Sequence, residues 1–434
     1  MNPLYWSLVN GPLPVILLVA GLLVAGLLTL ALLRAGRRWL TALVPLIVVA
    51  MVIVAAVLID RVWRPFPEAL PVSVLVWTWA GLTGIALALA GQPLLRSWRG
   101  RIGAVMAGVI VLAAAGNQIN VYYQEFPSLW VALGPWLDKK PVFTGDNQAA
   151  PEVTAGPGQA LTSVWHPPAG MPKAGRVYQV TIAGKVSKFP ARSGFIYLPP
   201  AYLSSPRAQL PVLVLLAGQP GDPSQWVYSG GIQQMMDAFA AQHEGLAPVV
   251  VMPDDLGGEL ANPLCIDSRL GNAQTYLTTD VPDWVMSHLS VRPPARGWAI
   301  GGFSHGGTCS IQLTTQAPRL FPVFVDISGQ DEPTLGSRQL TIDKAFGGDA
   351  AAFARVNPID VLSRTRFPGN AGVFVGGADD HEYTPQQRVM YQASRQAGMD
   401  VTFEELPGGH SWQVWKAGLQ RNLAWLAART GITQ

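Results

Sequence analysis

The stretch G-W-A-I-G-G-F-S-H-G-G-T, from Gly297 to Thr308, decides the fold. A short apolar strand runs into Gly302, Phe303, Ser304, His305 and Gly306, which together form a G-x-S-x-G nucleophile elbow. A serine on a sharp strand-to-helix turn needs almost no side chain two positions before and two positions after it. Cβ atoms there would collide with the adjoining strand and helix. The chain contains 45 glycines, so five-residue matches arise by chance and the motif needs support from elsewhere.

That support comes about a hundred residues later, where L-P-G-G-H-S-W-Q-V-W places His410 just after a strand-like run at 401–406. In α/β-hydrolases the chain order is serine, acid, histidine, with the histidine on the loop after the last strand. The acid is therefore expected between them, and the run 371–375 followed by G-G-A-D-D-H-E supplies it. Asp380 is the first choice and Asp379 the alternative, because a turn containing two glycines can present either carboxylate to the imidazole. The same two aspartates also fit the N-cap of a helix starting near Pro385. His166, His243 and His288 have no partner motif and read as surface or packed histidines, and His381 reads as a solvated neighbour of the acids.

Only 13% of the 434 residues are charged, and the mean hydropathy is +0.26. The apolar excess is concentrated in four runs at about 14–33, 40–59, 70–90 and 102–120. The first three are free of charge and about 20 residues long, enough to cross a hydrocarbon core roughly 30 Å thick. Soluble helices keep a polar face, and these runs have none. The connection after the first run carries Arg34, Arg37 and Arg38, and that after the third carries Arg96, Arg99 and Arg101. Both should be cytoplasmic, which sends everything after about Val121 to the outer side of a plasma membrane. The first run lacks a basic n-region before it and a small-residue cleavage site after it, so it reads as a retained span.

Residues 1–122 are thus expected to be a four-helix membrane segment, 123–174 a Pro/Gly-rich linker, and 175–434 a catalytic domain. In that domain strand-like runs at 176–182, 194–198, 211–216, 248–252, 297–303, 322–327, 371–375 and 401–406 alternate with helical patterns. The middle runs are continuously apolar, as strands covered on both faces must be. The fold class is α/β: an eight-stranded, mostly parallel, doubly wound sheet.

From about Arg176 onward the chain resembles the putative-esterase family of α/β-hydrolases, which includes mycolyltransferases, S-formylglutathione hydrolases and enterochelin esterases. The resemblance rests on V-L-V-L-L-A-G-Q-P-G-D, V-V-V-M-P-D-D, Y-L-T-T-D-V-P-D-W-V, G-G-F-S-H-G-G, G-A-D-D-H-E-Y and G-G-H-S-W-Q-V-W. Gly377, Asp380 and Tyr383 match the G-x-x-D stretch that holds the acid in many relatives, with an aromatic three residues on. The long insertion carrying the mycolyltransferase glutamate is missing. The resemblance implies acyl transfer through an acyl-enzyme: Ser304 as nucleophile, His410 as base, Asp380 orienting the imidazole. It also implies an oxyanion hole built from the backbone N–H groups of Gln219 and His305, each worth about 3 kcal/mol at the transition state.

Cys265 and Cys309 are the two cysteines. They can be free buried thiols, but an extracytoplasmic domain favours a disulfide tying the elbow helix to a neighbouring loop. There is no CxxC and no His/Cys cluster of metal-ligand spacing, so neither metal nor cofactor is expected. No basic-aromatic cluster points to nucleic acid. The expected partners are the bilayer and a lipid or small-molecule ester. Three functions remain open: a membrane-anchored esterase or acyltransferase acting on an envelope lipid or glycolipid, a hydrolase of small soluble esters merely localised by its anchor, and a non-catalytic hydrolase-like binding protein.

Overall fold

The four apolar runs become four long helices: α1 (Pro12–Arg34), α2 (Arg38–Val57), α3 (Val72–Ala90) and α4 (Trp98–Tyr123). The computed structural model describes residues 2–66, 68–95, 97–145, 151–294 and 297–434, so Arg96 lies outside the described residues. All four helices are long and apolar enough to cross a membrane, and no more than 22% of any of their most apolar windows is buried. α4 is longer than the run at 102–120 because Ser97 caps its start, accepting from the Gly100 N–H at 3.1 Å, and the polar tail Asn117–Tyr123 continues the helix. Small residues set the packing. A Cβ on Gly21 would stand 2.4 Å from the Ala114 Cβ, and one on Gly84 would stand 2.4 Å from Val111, so α1 and α3 approach α4 more closely than larger side chains allow. A fifth helix, α5 (Leu129–Leu137), falls inside the segment expected to be linker.

The chain divides into two compact units, Met1–Gly134 and Pro135–Gln434. The second begins well before residue 175, because part of the expected linker belongs to its core. Leu161 and Trp165 are buried, the Leu161 N–H donates to the Gly431 carbonyl, and the Trp165 indole N–H donates to the Glu244 carbonyl. Isolated anchors of this kind leave no periodic pattern in a sequence.

The second unit is built on one sheet of eight strands: β1 (Arg176–Val180), β2 (Gly194–Leu198), β3 (Val212–Leu216), β4 (Val249–Met252), β5 (Trp298–Phe303), β6 (Val323–Ile327), β7 (Ala371–Gly377) and β8 (Asp400–Leu406). Their order is β8-β7-β6-β5-β3-β4-β2-β1, with β2 antiparallel to both its neighbours and the other pairs parallel. Every residue of β3, β4, β5, β6 and β7 is buried, which is why these strands read as unbroken apolar runs. This is an α/β-hydrolase fold. The chain runs outward from β3 to β4, crosses back to β5, then proceeds the other way through β6, β7 and β8. The direction therefore reverses between the adjacent strands β3 and β5, and a doubly wound sheet leaves its crevice at the carboxyl ends of the strands at such a point.

Candidate active site

Ser304 sits in that crevice, between the end of β5 and helix α6 (His305–Gln316). Its backbone is at φ 52°, ψ −118°, a region that non-glycine residues rarely enter and that persists only where the surroundings enforce it. They do so here from both sides. The Ser304 N–H donates to the Ile327 carbonyl at 2.8 Å, and its carbonyl accepts from the Thr308 N–H at 3.1 Å. A Cβ on Gly302 would lie 2.5 Å from the Gly306 backbone, and one on Gly306 would lie 2.5 Å from the Leu216 carbonyl oxygen. The two glycines of the motif thus let helix, elbow and β3 meet at backbone contact distance.

Three chain segments converge on the serine. His410, on the loop between β8 and α8 (Trp412–Arg429), places Nε2 2.9 Å from Ser304 Oγ. Its Nδ1 lies 2.9 Å from Asp380 Oδ2, on the loop after β7. The imidazole is stacked on Tyr383 at 4.0 Å between ring centres and meets Trp415 edge-on at 5.1 Å, so its plane is fixed by packing as well as by hydrogen bonds. The other oxygen of Asp380 accepts from the Tyr383 N–H at 3.0 Å, at the start of α7 (Tyr383–Gln396). The helix-start role and the imidazole contact, rivals in the sequence, thus belong to the same carboxylate.

Asp379 and His381 are exposed. Asp379 contributes its backbone instead, donating to the Gly408 carbonyl at 2.9 Å, while a Cβ on Gly377 would stand 2.4 Å from that same oxygen. The paired glycines on both loops let the acid loop and the histidine loop cross at contact distance. Behind the elbow, Phe303 packs among Trp226, Trp412 and Trp415 with ring centres 4.4–5.4 Å away.

Gln219 lies on the loop after β3, adjacent to β5, and His305 is the first residue of α6, where backbone N–H groups have no partner within the helix. A brace that the sequence did not reveal holds the Gln219 loop. The Arg192 guanidinium pairs with Asp254 through Nε at 3.0 Å and Nη2 at 2.7 Å, and Nη2 also donates to the Gly221 carbonyl at 2.9 Å. Asp254 is wholly buried and accepts further from the N–H groups of Arg192, Leu256 and Gly257. The D-D after β4 was the signal, though nothing local pointed to Arg192 as its partner.

Cys265 and Cys309 are joined as a disulfide, Cα atoms 5.6 Å apart, linking the loop after β4 to α6. The His305 side chain turns inward against it, Nε2 3.4 Å from Cys265 Sγ and 3.8 Å from Asp255 Oδ2. Burial holds this imidazole down to about 4. Burial, and next the neighbouring Asp254 charge, pushes Asp255 well above the usual carboxylate range. The imidazole is therefore neutral at neutral pH, and its approach to Asp255 is not an ion pair.

The sequence profile of the putative-esterase family matches residues 191–426, more than half of the chain. The chain belongs to this family. A relative in Corynebacterium glutamicum, described as an uncharacterised protein, is 38% identical to this esterase-family chain over 388 residues, covering 87% of each. That length exceeds Pro135–Gln434, so the likeness continues into the helical unit. Among solved structures, a ferulic acid esterase superposes with a TM-score of 0.51 at 20% identity, over 59% of this chain and 99% of its own. The S-formylglutathione hydrolase of Agrobacterium tumefaciens gives 0.51 and 20%, over 60% and 97%. At such identities these two likenesses speak to the fold.

Proposed function

We propose that this esterase-family protein is a serine esterase or acyltransferase, anchored in the plasma membrane with its catalytic domain on the extracytoplasmic side, acting on an ester of an envelope lipid or glycolipid. The observation that carries the reading is the continuous relay from Ser304 Oγ through His410 to Asp380, both links 2.9 Å. Ser304 Oγ attacks the ester carbonyl as His410 Nε2 takes its proton, forming the tetrahedral intermediate. Asp380 keeps the Nδ1 proton in place and stabilises the imidazolium. The N–H groups of His305 and Gln219 receive the oxyanion. As the intermediate collapses, His410 returns the proton to the departing alcohol, leaving the acyl group on Ser304. Water or a second alcohol then takes the acyl group by the reverse sequence.

Four apolar helices with little protein cover support the anchor. The arginines at 34, 37, 38, 99 and 101 support the orientation, as does a disulfide in the catalytic unit. A substrate held in the bilayer is the one that such tethering brings within reach.

A fluorophosphonate probe should label the full chain in isolated membranes and should fail to label Ser304→Ala. Lipid extracts of cells with and without the protein should differ in one acylated species. A Ser304→Ala protein that still turns over that ester would refute the mechanism. Cysteines introduced at 37 and 99 should be shielded from a membrane-impermeant reagent that reaches one at the exposed position 186, and the opposite pattern would invert the orientation.

A further inference from the structure

Asp255, Cys265, His305 and Cys309 come from three separate stretches of chain, yet one ligand atom from each lies within 4.8 Å of all the others. All four residues are buried. The Asp255 side chain is completely enclosed and faces the imidazole and the sulfurs; the backbone N–H groups of Asp255 and Ala217 approach its carboxyl, but neither oxygen has a partner in good hydrogen-bond geometry. A buried carboxylate without a donor is normally paired with a cation or coordinates a metal. The cluster is scattered along the chain: the two cysteines lie 44 positions apart, and of the four residues only His305 and Cys309, one turn apart on α6, are close in sequence.

We propose that reduction of the Cys265–Cys309 bond converts this cluster into a closed, four-coordinate zinc site with Asp255, Cys265, His305 and Cys309 as its ligands. Two thiolates, one imidazole and one carboxylate are a donor set suited to tetrahedral zinc. Zinc bonds of about 2.0–2.3 Å require tetrahedral ligand separations of about 3.3–3.8 Å. The His305–Cys265 and His305–Asp255 separations, 3.4 and 3.8 Å, already fall in that range. The two sulfurs must part to about 3.8 Å, by side-chain rotation at the two cysteines, while the remaining pairs already lie within 4.8 Å of one another.

The chemistry balances as a thiol–disulfide exchange followed by binding. A dithiol reductant gives two electrons and two protons to the sulfurs and becomes a disulfide itself. The zinc ion then displaces the two thiol protons, and any proton on Asp255, and takes the Nε2 lone pair of neutral His305. The entry route is the loop after β4, which is exposed at 259–261. Its next turn carries Leu264 and Cys265 at φ 65° and 51°, a left-handed pair of non-glycine residues. His305 directly follows the nucleophile, so bond and metal are alternative clamps on one elbow.

The test uses the full chain in detergent micelles, reduced with a phosphine, freed of it without oxygen, and equilibrated with zinc(II) or, as a chromophore, cobalt(II). The reduced protein should retain one zinc per chain, and its cobalt form should show thiolate-to-cobalt charge transfer with the intense visible bands of tetrahedral cobalt. The oxidised protein should retain none. Asp255→Asn should bind zinc at least about tenfold more weakly while keeping the near-ultraviolet circular dichroism of the reduced wild type. Equal zinc retention by reduced wild type and the Cys265→Ser/Cys309→Ser double variant would overturn the proposal, as would a pale octahedral cobalt spectrum. A reduced chain that loses its fold and holds no zinc overturns it equally. None of these readouts depends on turnover, so failure here is separable from failure of the esterase mechanism.

Discussion

Asp380→Asn is the substitution that bears most directly on the relay. The carboxylate offers two acceptors, one to His410 Nδ1 at 2.9 Å and one to the Tyr383 N–H at 3.0 Å. An amide of the same shape has one oxygen for those two donors. The backbone N–H of Tyr383 cannot change its role, whereas an imidazole can tautomerise. The amide oxygen therefore stays with Tyr383, and its NH2 group turns toward Nδ1. His410 then carries its proton on Nε2, facing Ser304 Oγ as a donor, and cannot accept the serine proton. A wrong tautomer in intact geometry costs about 10⁴-fold in turnover, which is about 5.5 kcal/mol of transition-state stabilisation. Stability should change by less than about 1 kcal/mol, because the contact that starts α7 survives. The assay is kcat/KM on a short aryl ester, beside thermal melting of the same preparations. Retention of more than about a tenth of wild-type kcat/KM would refute the tautomer argument, as would a loss matched by an equal fall in Tm. Asp379→Asn should stay within tenfold of wild type, and the reverse ranking would move the acid by one residue.

Opening the disulfide in chelator-containing buffer should lower stability by about 4 kcal/mol, the chain-entropy value for a separation of 44 residues, as read by denaturant unfolding with and without reductant. Gly306→Ala should cost about 3 kcal/mol or more, since its Cβ would meet backbone oxygens of Leu216 and Ala217 that no rotamer change can move, while Gly369→Ala, with nothing within 4 Å, should be nearly silent. Asp326, pushed up to about 7 by burial, holds its proton in the folded state where the unfolded chain has already lost it. Folding therefore weakens as pH rises from about 4 to about 7, by on the order of 3–4 kcal/mol from this group. His305, held down to about 4, acts in the opposite sense but equally in both proteins, so the Tm of Asp326→Asn relative to wild type should climb across that interval. A difference that is flat with pH would contradict the assignment.

The strands were legible because burial on both faces leaves unbroken apolar runs, as in Val212–Leu216 and Val249–Met252. That Ser304, Asp380 and His410 would meet was legible for another reason: elbow and loop geometry force glycines to fixed offsets from the side chains they present. Other features had no local signature. Leu161 and Trp165 dock singly, with no face to repeat. Arg192 meets Asp254 across a strand crossover, and His305 reads as a backbone donor until the fold turns its side chain toward Asp255. Such contacts depend on which strands become neighbours, and that is a property of the whole sheet.

The aromatic box around Phe303 has a consequence for how the protein should fail when heated. Trp226 anchors to the Leu216 carbonyl through its indole N–H at 2.9 Å, and Trp412 and Trp415 belong to the first turn of α8, next to His410. The elbow, the His410 loop and β3 therefore share one buried wall, and none can detach without exposing several indole rings to water. Amide hydrogens of β5 and α6 should exchange only through global opening, with no cheaper sub-global route that frees Ser304 alone. Loss of activity on warming would then be the unfolding of the entire sheet, and the site would have no separate transition of its own.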